Sequence, residues 1–450
     1  MDHIAKTKPS IGRYGQSGKI HYSWIILCIL AVVQMIGQSI ALSTGILIGP
    51  LSDPATGFGW SIGPIGACLA LYFLTGACFS PVSGWLADRY GTRITMLAAS
   101  TLYATSMILM AYINAIWHFA LVFGVMLAIT QSLSMVPLIA AVNVWFKIRL
   151  GMAVGILWAA GGIGAAILST AMGYLLDNFG WTTTFLSVGI IGGGTMLLLN
   201  PFVRSNPVDK GIKPYGAKDG DPQEKRWDRS VQKLRLKIFN QHIRRTSEFW
   251  NLPLIHLLGC AGHGIVLIYC IPIAMGQGIS LTAAAFILGL INLFSVTTRL
   301  ITPVLAEHFG GKPSMTVALA IQGLTVLILF WASELWVFYL FGILFGIGYG
   351  GEMSAYPIVN RQYFGSGPIG TFYGIEMMGA MLGHAVAAAL SALVIAVAGS
   401  FTVILIMSIL FSLVGVIVVR NLASSSKVLI PDWEESLPPH ARTESKGISF

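Results

Sequence analysis

Three ionisable side chains stand where the sequence gives them little water: Arg299, Glu352 and Glu376 each lie inside an apolar stretch. Holding an ionised group at the centre of such a helix costs roughly 2.5–3.5 kcal/mol, so each must be paired, solvated or used. A guanidinium stays charged at any working pH and grips a carboxylate through two parallel hydrogen bonds. Arg299 is therefore the leading anion-binding residue, and a permanent ion pair with Glu352 or Glu376 is the other account of it. Glu352 sits in Gly350-Gly-Glu-Met-Ser-Ala-Tyr-Pro357, where glycines admit close backbone approach and the proline can open a kink. A buried carboxyl beside an arginine is ionised while paired and takes a proton when another anion occupies the arginine. Glu352 and Glu376 are equal candidates for that exchange. His263 and His384 could donate to a carboxylate or relay protons, or serve as hydrogen-bonded packing groups. Gln34, Gln38, Asn143, Tyr269, Asn292 and Tyr356 are further polar groups that either line a cavity or hold helices together.

These residues need elements to hold them, and the composition says which. Of 450 residues, 55% are apolar and only 10% charged, against about 25% charged in soluble proteins. A soluble enzyme, a disordered chain and a disulfide-stapled fold are excluded, and the chain is read as an integral, multi-pass membrane protein of the inner or plasma membrane. A membrane-crossing helix needs roughly 20 apolar residues. Twelve stretches qualify: 22–49, 61–87, 94–112, 117–146, 151–176, 183–203, 251–276, 281–306, 313–332, 334–362, 368–398 and 401–420. The alternating ten-residue pattern of a membrane β-barrel is absent. No small-residue cleavage site follows the first span, so it is expected to be retained. Arg299, Glu352 and Glu376 fall on the eighth, tenth and eleventh spans, at roughly 6–10 Å from their midpoints toward one side.

The connecting segments near 50–60, 113–116, 177–182, 277–280, 333 and 399–400 hold no Lys or Arg, whereas the opposite set, including 204–250 and both ends, holds the basic residues. The positive-inside rule puts both termini and the long connection in the cytoplasm. The net charge of +9 is thereby explained by topology, and nucleic acid is not expected as a partner. The divisions are an N-terminal cytoplasmic segment 1–21, a bundle 22–203, a linker 204–250, a second bundle 251–420 and a tail 421–450. Within the linker, 230–250 mixes Val231, Leu234, Leu236, Ile238, Phe239 and Ile243 with basic residues. That pattern fits either a helix lying on the anionic leaflet or a solvated helical connector. The tail reads as polar and mobile, and Trp145 and Phe146 read as anchors at the membrane interface.

The linker divides twelve spans into six and six, and the halves repeat. Gly84-Trp-Leu-Ala-Asp-Arg-Tyr-Gly-Thr-Arg93 ends the second span, and Pro303-Val-Leu-Ala-Glu-His-Phe-Gly-Gly-Lys312 ends the eighth, 219 positions later. The same shift maps Gly151 onto Gly370 and Gly155 onto Gly374. Two related six-helix halves imply a parallel repeat about an axis normal to the membrane. Asp88 can accept hydrogen bonds or face a helix N-terminus such as the one near Pro368.

The segment GWLADRYGTR closely resembles the loop motif after the second helix of the major facilitator superfamily, and the resemblance covers essentially the whole bundle. It implies an all-α fold of two pseudo-symmetric halves in which Gly84, Asp88, Arg89, Gly91 and Arg93 form a gating element on the cytoplasmic side. Phe58-Gly-Trp60, Val144 to Gly155 and Phe345-Gly-Ile-Gly-Tyr-Gly-Gly351 resemble the monocarboxylate transporter and oxalate:formate antiporter branches. Arg299 aligns with the helix 8 arginine that binds substrate carboxylate in the former. Ser295 stands where animal-type members carry an aspartate, Leu42-Ser43 where they carry a lysine, and Glu376 where the oxalate:formate type has a lysine. One site cation in place of two argues for a monoanion.

The resulting expectation is secondary transport of a small carboxylate, proton-coupled, by alternating access of a monomeric unit. An organic-anion exchanger, a neutral-solute facilitator of the same fold, or a non-transporting sensor using 230–250 are the alternatives. No Ser/His/Asp, metal or nucleotide constellation sits at one depth, so neither an enzyme nor a cofactor is expected. Cys28, Cys68, Cys78, Cys260 and Cys270 form no Cys-x-x-Cys pair, and no metal is expected.

Overall fold

The computed structural model describes residues 20–42, 44–54, 57–218 and 227–443, so expectations for 1–19, Ser43, 55–56, 219–226 and 444–450 lie outside the described residues. In hydrocarbon every backbone N–H and C=O must find a partner within the protein, which an apolar helix does by itself. The first half consists of α1 (Tyr22–Leu42), α2 (Thr44–Ser52), α3 (Ile62–Tyr90), α4 (Thr92–Met110), α5 (Ile116–Phe119), α6 (Ala128–Trp145), α7 (Leu150–Val188) and α8 (Gly194–Leu199). The linker forms α9 (Arg229–Ile243). The second half consists of α10 (Glu248–Gly276), α11 (Leu281–Phe309), α12 (Gly311–Thr325), α13 (Leu335–Phe364), α14 (Gly370–Ala398) and α15 (Phe401–Arg420).

Among the described residues, 10 helical runs are long and apolar enough to cross a bilayer, and Tyr22–Gln38 is a shorter apolar helix. One run, Leu150–Phe202, has 53 residues, over twice what a single crossing needs. Gly180 breaks it with φ 74° and ψ 180°, a backbone open to glycine, which restores two spans. The expected twelve crossings are thus present, with the fifth and sixth joined by a bent run in place of a loop.

Two helix pairs make most of the contact between the halves, α3 with α14 and α7 with α11. Glycine brings these backbones together. A Cβ on Gly84 would overlap the Gly370 carbonyl, one on Gly151 the Pro303 carbonyl, and one on Gly155 would lie 2.7 Å from the Leu300 carbonyl. Toward the opposite ends of these helices, Gly63, Gly66, Gly173 and Gly289 have nothing within 4 Å of the same position. The halves therefore touch on the side of the termini and separate toward the other side.

Inside the second half, Gly342, Gly346 and Gly350 form one ridge of α13 against α11. A Cβ would lie 3.1 Å from the Ile287 carbonyl at the first and 2.6 Å from the Ile291 carbonyl at the second, and it would overlap Ser295 at the third. Gly346→Leu is expected to overpack this seam at a cost of roughly 1–3 kcal/mol, read as a lowered melting temperature in detergent.

Three readings of the polar segments need correction. Trp145 and Phe146 are fully buried, not interfacial. The Trp145 indole N–H donates to the Arg204 carbonyl, and Phe146 pairs with Tyr215 of the linker. The apolar residues Leu236, Phe239 and Ile243 of α9 are buried, the last two in a core shared with the second half and the tail. The tail through residue 443 is packed as well: Trp433 sits 5.0 Å from the Phe239 ring, and Glu434 pairs with Arg235. The polar composition concealed a few apolar anchors, and those anchors decide the packing.

Candidate functional site

The glycine ridge of α13 lets α11 come close enough for Arg299 to reach Tyr349. Arg299 is 2% exposed. Its Nη2 donates to the Tyr349 hydroxyl at 2.9 Å, and its Cζ lies 5.1 Å from that ring centroid. Its Nε has no hydrogen-bond partner. Among the described residues no carboxylate forms an ion pair with it.

Glu352 is engaged elsewhere. Its Oε1 accepts from the Tyr356 hydroxyl at 2.6 Å, while Oε2 lies 3.6 Å from His263 Nδ1 and has no hydrogen bond. A side chain at Gly259 would overlap this carboxylate, so the glycine on α10 creates its seat. Both ring nitrogens of His263 lack hydrogen-bond partners although the side chain is fully buried. Its ring lies 4.6 Å from that of Tyr349 and 5.2 Å from that of His384. His384 Nδ1 bonds the Ala380 carbonyl at 3.0 Å, and its ring stacks on Phe73 of the first half at 5.3 Å. His256 stacks on Tyr356 at 3.9 Å. A continuous file of polar groups thus runs from Arg299 through Tyr349, His263, Glu352 and Tyr356 to His256. Glu376 stands beside this file: its Oε2 accepts from Asn360 Nδ2 at 2.7 Å and its Oε1 is unpaired.

The first half contributes Gln34 and Gln38, joined by a 2.6 Å hydrogen bond. They pack on Gly161 of α7, while Arg299 Nη1 lies 3.5 Å from the position of a Cβ on Gly162. One glycine pair therefore brings the two amides and the guanidinium to the same stretch of α7. The other polar candidates are not gathered here. Asn143 donates to the Ile139 carbonyl of its own helix and accepts, through its backbone oxygen, from Arg361. Asn292 is exposed and bonds the Leu288 carbonyl, and Tyr269 packs near Phe401 at 6.2 Å. The Cys260 sulfur and the ring nitrogens of His263 and His384 lie within 4.8 Å of one another, a grouping made by α14 meeting α10.

The repeated loop motif builds two matching junctions at the side of the termini. Asp88 accepts from the Gly370 N–H at 2.9 Å and from the N–H and hydroxyl of Thr371, both at 2.6 Å. Glu307 accepts from the N–H groups of Leu150 at 3.2 Å and Gly151 at 2.8 Å. Each carboxylate of one half thereby caps a helix N-terminus of the other, where orphan N–H groups and the helix dipole both favour negative charge. Gly91 and Gly310 hold the turns after these acids with φ 83° and 99°. Arg89 lies over the rings of Trp85 and Tyr90, at 5.0 and 5.3 Å. The Arg93 N–H donates to Ser205.

Sequence reading passed over Tyr349, His256 and Asn360. Tyr349 stood inside the quoted glycine motif, and His256 lies two helical turns before His263 on one face of α10. Asn360 carried no such signal.

The sequence matches the family model described as Major Facilitator Superfamily over residues 27–370. Monocarboxylate transporter 12-B of Danio rerio is 22% identical over 64% of this chain and 65% of its own length. Monocarboxylate transporter 2 of Homo sapiens is 23% identical over 61% of this chain and 59% of its own. These alignments span about three fifths to two thirds of each relative. Among solved structures, the proton:xylose symporter XylE bound to 6-bromo-6-deoxy-D-glucose superposes with TM-score 0.71 at 14% identity, covering 91% of this chain and 98% of that one. FucP in the outward conformation superposes with TM-score 0.64 at 15% identity, covering 89% of this chain and 99% of that one.

Proposed function

Because this chain belongs to the Major Facilitator Superfamily, an all-helical family of membrane transporters and not of enzymes, we propose that it carries a small monocarboxylate across the membrane together with a proton. The observation that carries this reading is Arg299, buried and hydrogen-bonded to the neutral Tyr349, with no carboxylate in ion-pair contact with it among the described residues. An uncompensated buried guanidinium is costly, and a substrate carboxylate supplies the missing counter-ion. The names of the monocarboxylate transporter relatives support the same substrate class.

In the proposed cycle both termini face the cytoplasm, the Asp88 and Glu307 junctions close that side, and the site is reached from the opposite side. The anion pairs with Arg299, with Gln34 and Gln38 within the same region. Glu352 takes the accompanying proton, relayed by His263, so the loaded site carries no extra charge when the halves rock. The unbonded Glu352 Oε2 facing His263 supports Glu352 over Glu376 in this role. The unit is a monomer in the inner or plasma membrane.

Purified protein is expected to be stabilised against heat by short monocarboxylates, more strongly at acidic pH, and not by sugars or organic cations. Stabilisation by a neutral solute alone would overturn the carboxylate assignment. In proteoliposomes, Glu352→Gln is expected to abolish acceleration of uptake by an inward proton gradient while leaving exchange of labelled for unlabelled substrate intact. Gradient-driven uptake that is unchanged in Glu352→Gln and lost in Glu376→Gln would transfer the role to Glu376.

A further inference from the structure

Where α3 leaves the bilayer it meets the linker helix α9, and a cavity of about 370 Å³ lies between them. Its lining includes Arg89, Arg229, Lys233 and Lys237, the rings of Trp85 and Tyr90, and no acidic residue. The four cations form no ion pair among the described residues. Asp88, next to Arg89, is bound to Gly370 and Thr371, and Glu434 is bound to Arg235, while Asp228 precedes Arg229 at the start of α9 and is not among the lining residues. Trp85 and Tyr90 are 37% and 42% exposed, and amphipathic rings of this kind belong at headgroup level. The cavity therefore combines concentrated positive charge with an apolar wall at the end of a membrane-crossing helix.

We propose that this cavity is a binding site for the phosphate headgroup of an anionic phospholipid, with its acyl chains lying along Trp85. A phosphodiester accepts hydrogen bonds from Arg and Lys together, and basic clusters at this level attract anionic lipid. The position also gives the lipid something to do. Gln232 of α9 donates to the Asp88 carbonyl at 2.7 Å, and Phe239, two helical turns further along α9, packs against Gly367 just before α14. A headgroup bridging Arg89 on α3 to Lys233 and Lys237 on α9 holds the linker helix to the first half while Phe239 holds it to the second. It thus reinforces the closed junction at Asp88.

The full chain, delipidated in neutral detergent, is titrated with phosphatidylglycerol or phosphatidylcholine, and bound lipid is counted by native mass spectrometry. Phosphatidylglycerol is expected to be retained selectively. Lys233→Gln with Lys237→Gln should weaken its retention roughly thirtyfold, and Lys233→Arg with Lys237→Arg should keep it. Melting of the Gln pair in lipid-free detergent should match the parent, separating lost binding from lost folding. Equal retention of the two lipids, or undiminished phosphatidylglycerol retention in the Gln pair, would overturn the site. Soluble glycerol phosphate competing as well as the lipid would mean a free phosphate ester is the ligand, and would overturn the lipid assignment.

Discussion

Arg299→Ala is expected to reduce carboxylate uptake in proteoliposomes by roughly a hundredfold, with little loss of folded protein. A hydrogen bond to a charged partner contributes about 1.5–3 kcal/mol, and a two-pronged carboxylate contact uses two of them. The lower end of that range already gives a hundredfold change, since about 1.4 kcal/mol is a factor of ten. Folding should tolerate the change because the variant removes a buried charge that has no carboxylate partner among the described residues, which is the costly element. Arg299→Lys should recover only part of the activity, because an ammonium lacks the planar fork and stands shorter of Tyr349. Full uptake in Arg299→Ala, or a large drop in melting temperature in its place, would mean that the arginine is structural.

The second large effect concerns the two junctions. Asp88→Asn and Glu307→Gln each replace a carboxylate that accepts two backbone N–H bonds at a helix start. An amide oxygen still accepts one bond but carries no charge for the dipole, so each change should cost roughly 1–2 kcal/mol of the closed arrangement. The junctions share no side chain, so the double variant should approach the sum, shifting the closed-to-open ratio by on the order of a hundredfold. Ser80 is 2% exposed and its carbonyl faces Gly374 across the α3–α14 contact. A cysteine placed there in a background lacking the five native cysteines should react slowly with maleimide. The double variant should accelerate that reaction, and each single variant should fall between. An unchanged rate in all three would show that closure rests on glycine packing alone.

Much of this architecture is legible in the residues. Charge scarcity and the Lys/Arg asymmetry give twelve crossings, and a 219-residue repeat gives the two halves. The repeat also points to the junctions, because Asp88 and Glu307 correspond, as do the Gly151 and Gly370 they reach. Arg299, Glu352 and Glu376 stand out by type alone, since an ionisable group in an apolar span has few innocent explanations. Their partners do not. Sequence reading offered Arg299 an ion pair with either glutamate, whereas each of the three hydrogen-bonds a different neutral side chain: Tyr349, Tyr356 and Asn360. Which group meets which depends on helix rotation within a fraction of a turn, and uniformly apolar helices carry almost no periodicity to fix it. Asn143 illustrates the same limit: it has the right chemistry on an inner helix, yet its amide turns back on its own backbone.

The contact between α9 and the tail sets an order of events during synthesis. Arg235 and Glu434 are 199 positions apart, so the linker helix leaves the ribosome long before the segment that covers it. Until Trp433 and Leu437 arrive, Phe239 and its neighbours have an apolar surface without its final cover, and a chain released early would keep that surface open to chaperones and proteases. Emergence of residues 433–441 is thereby coupled to seating of the helix that braces the junction at Asp88.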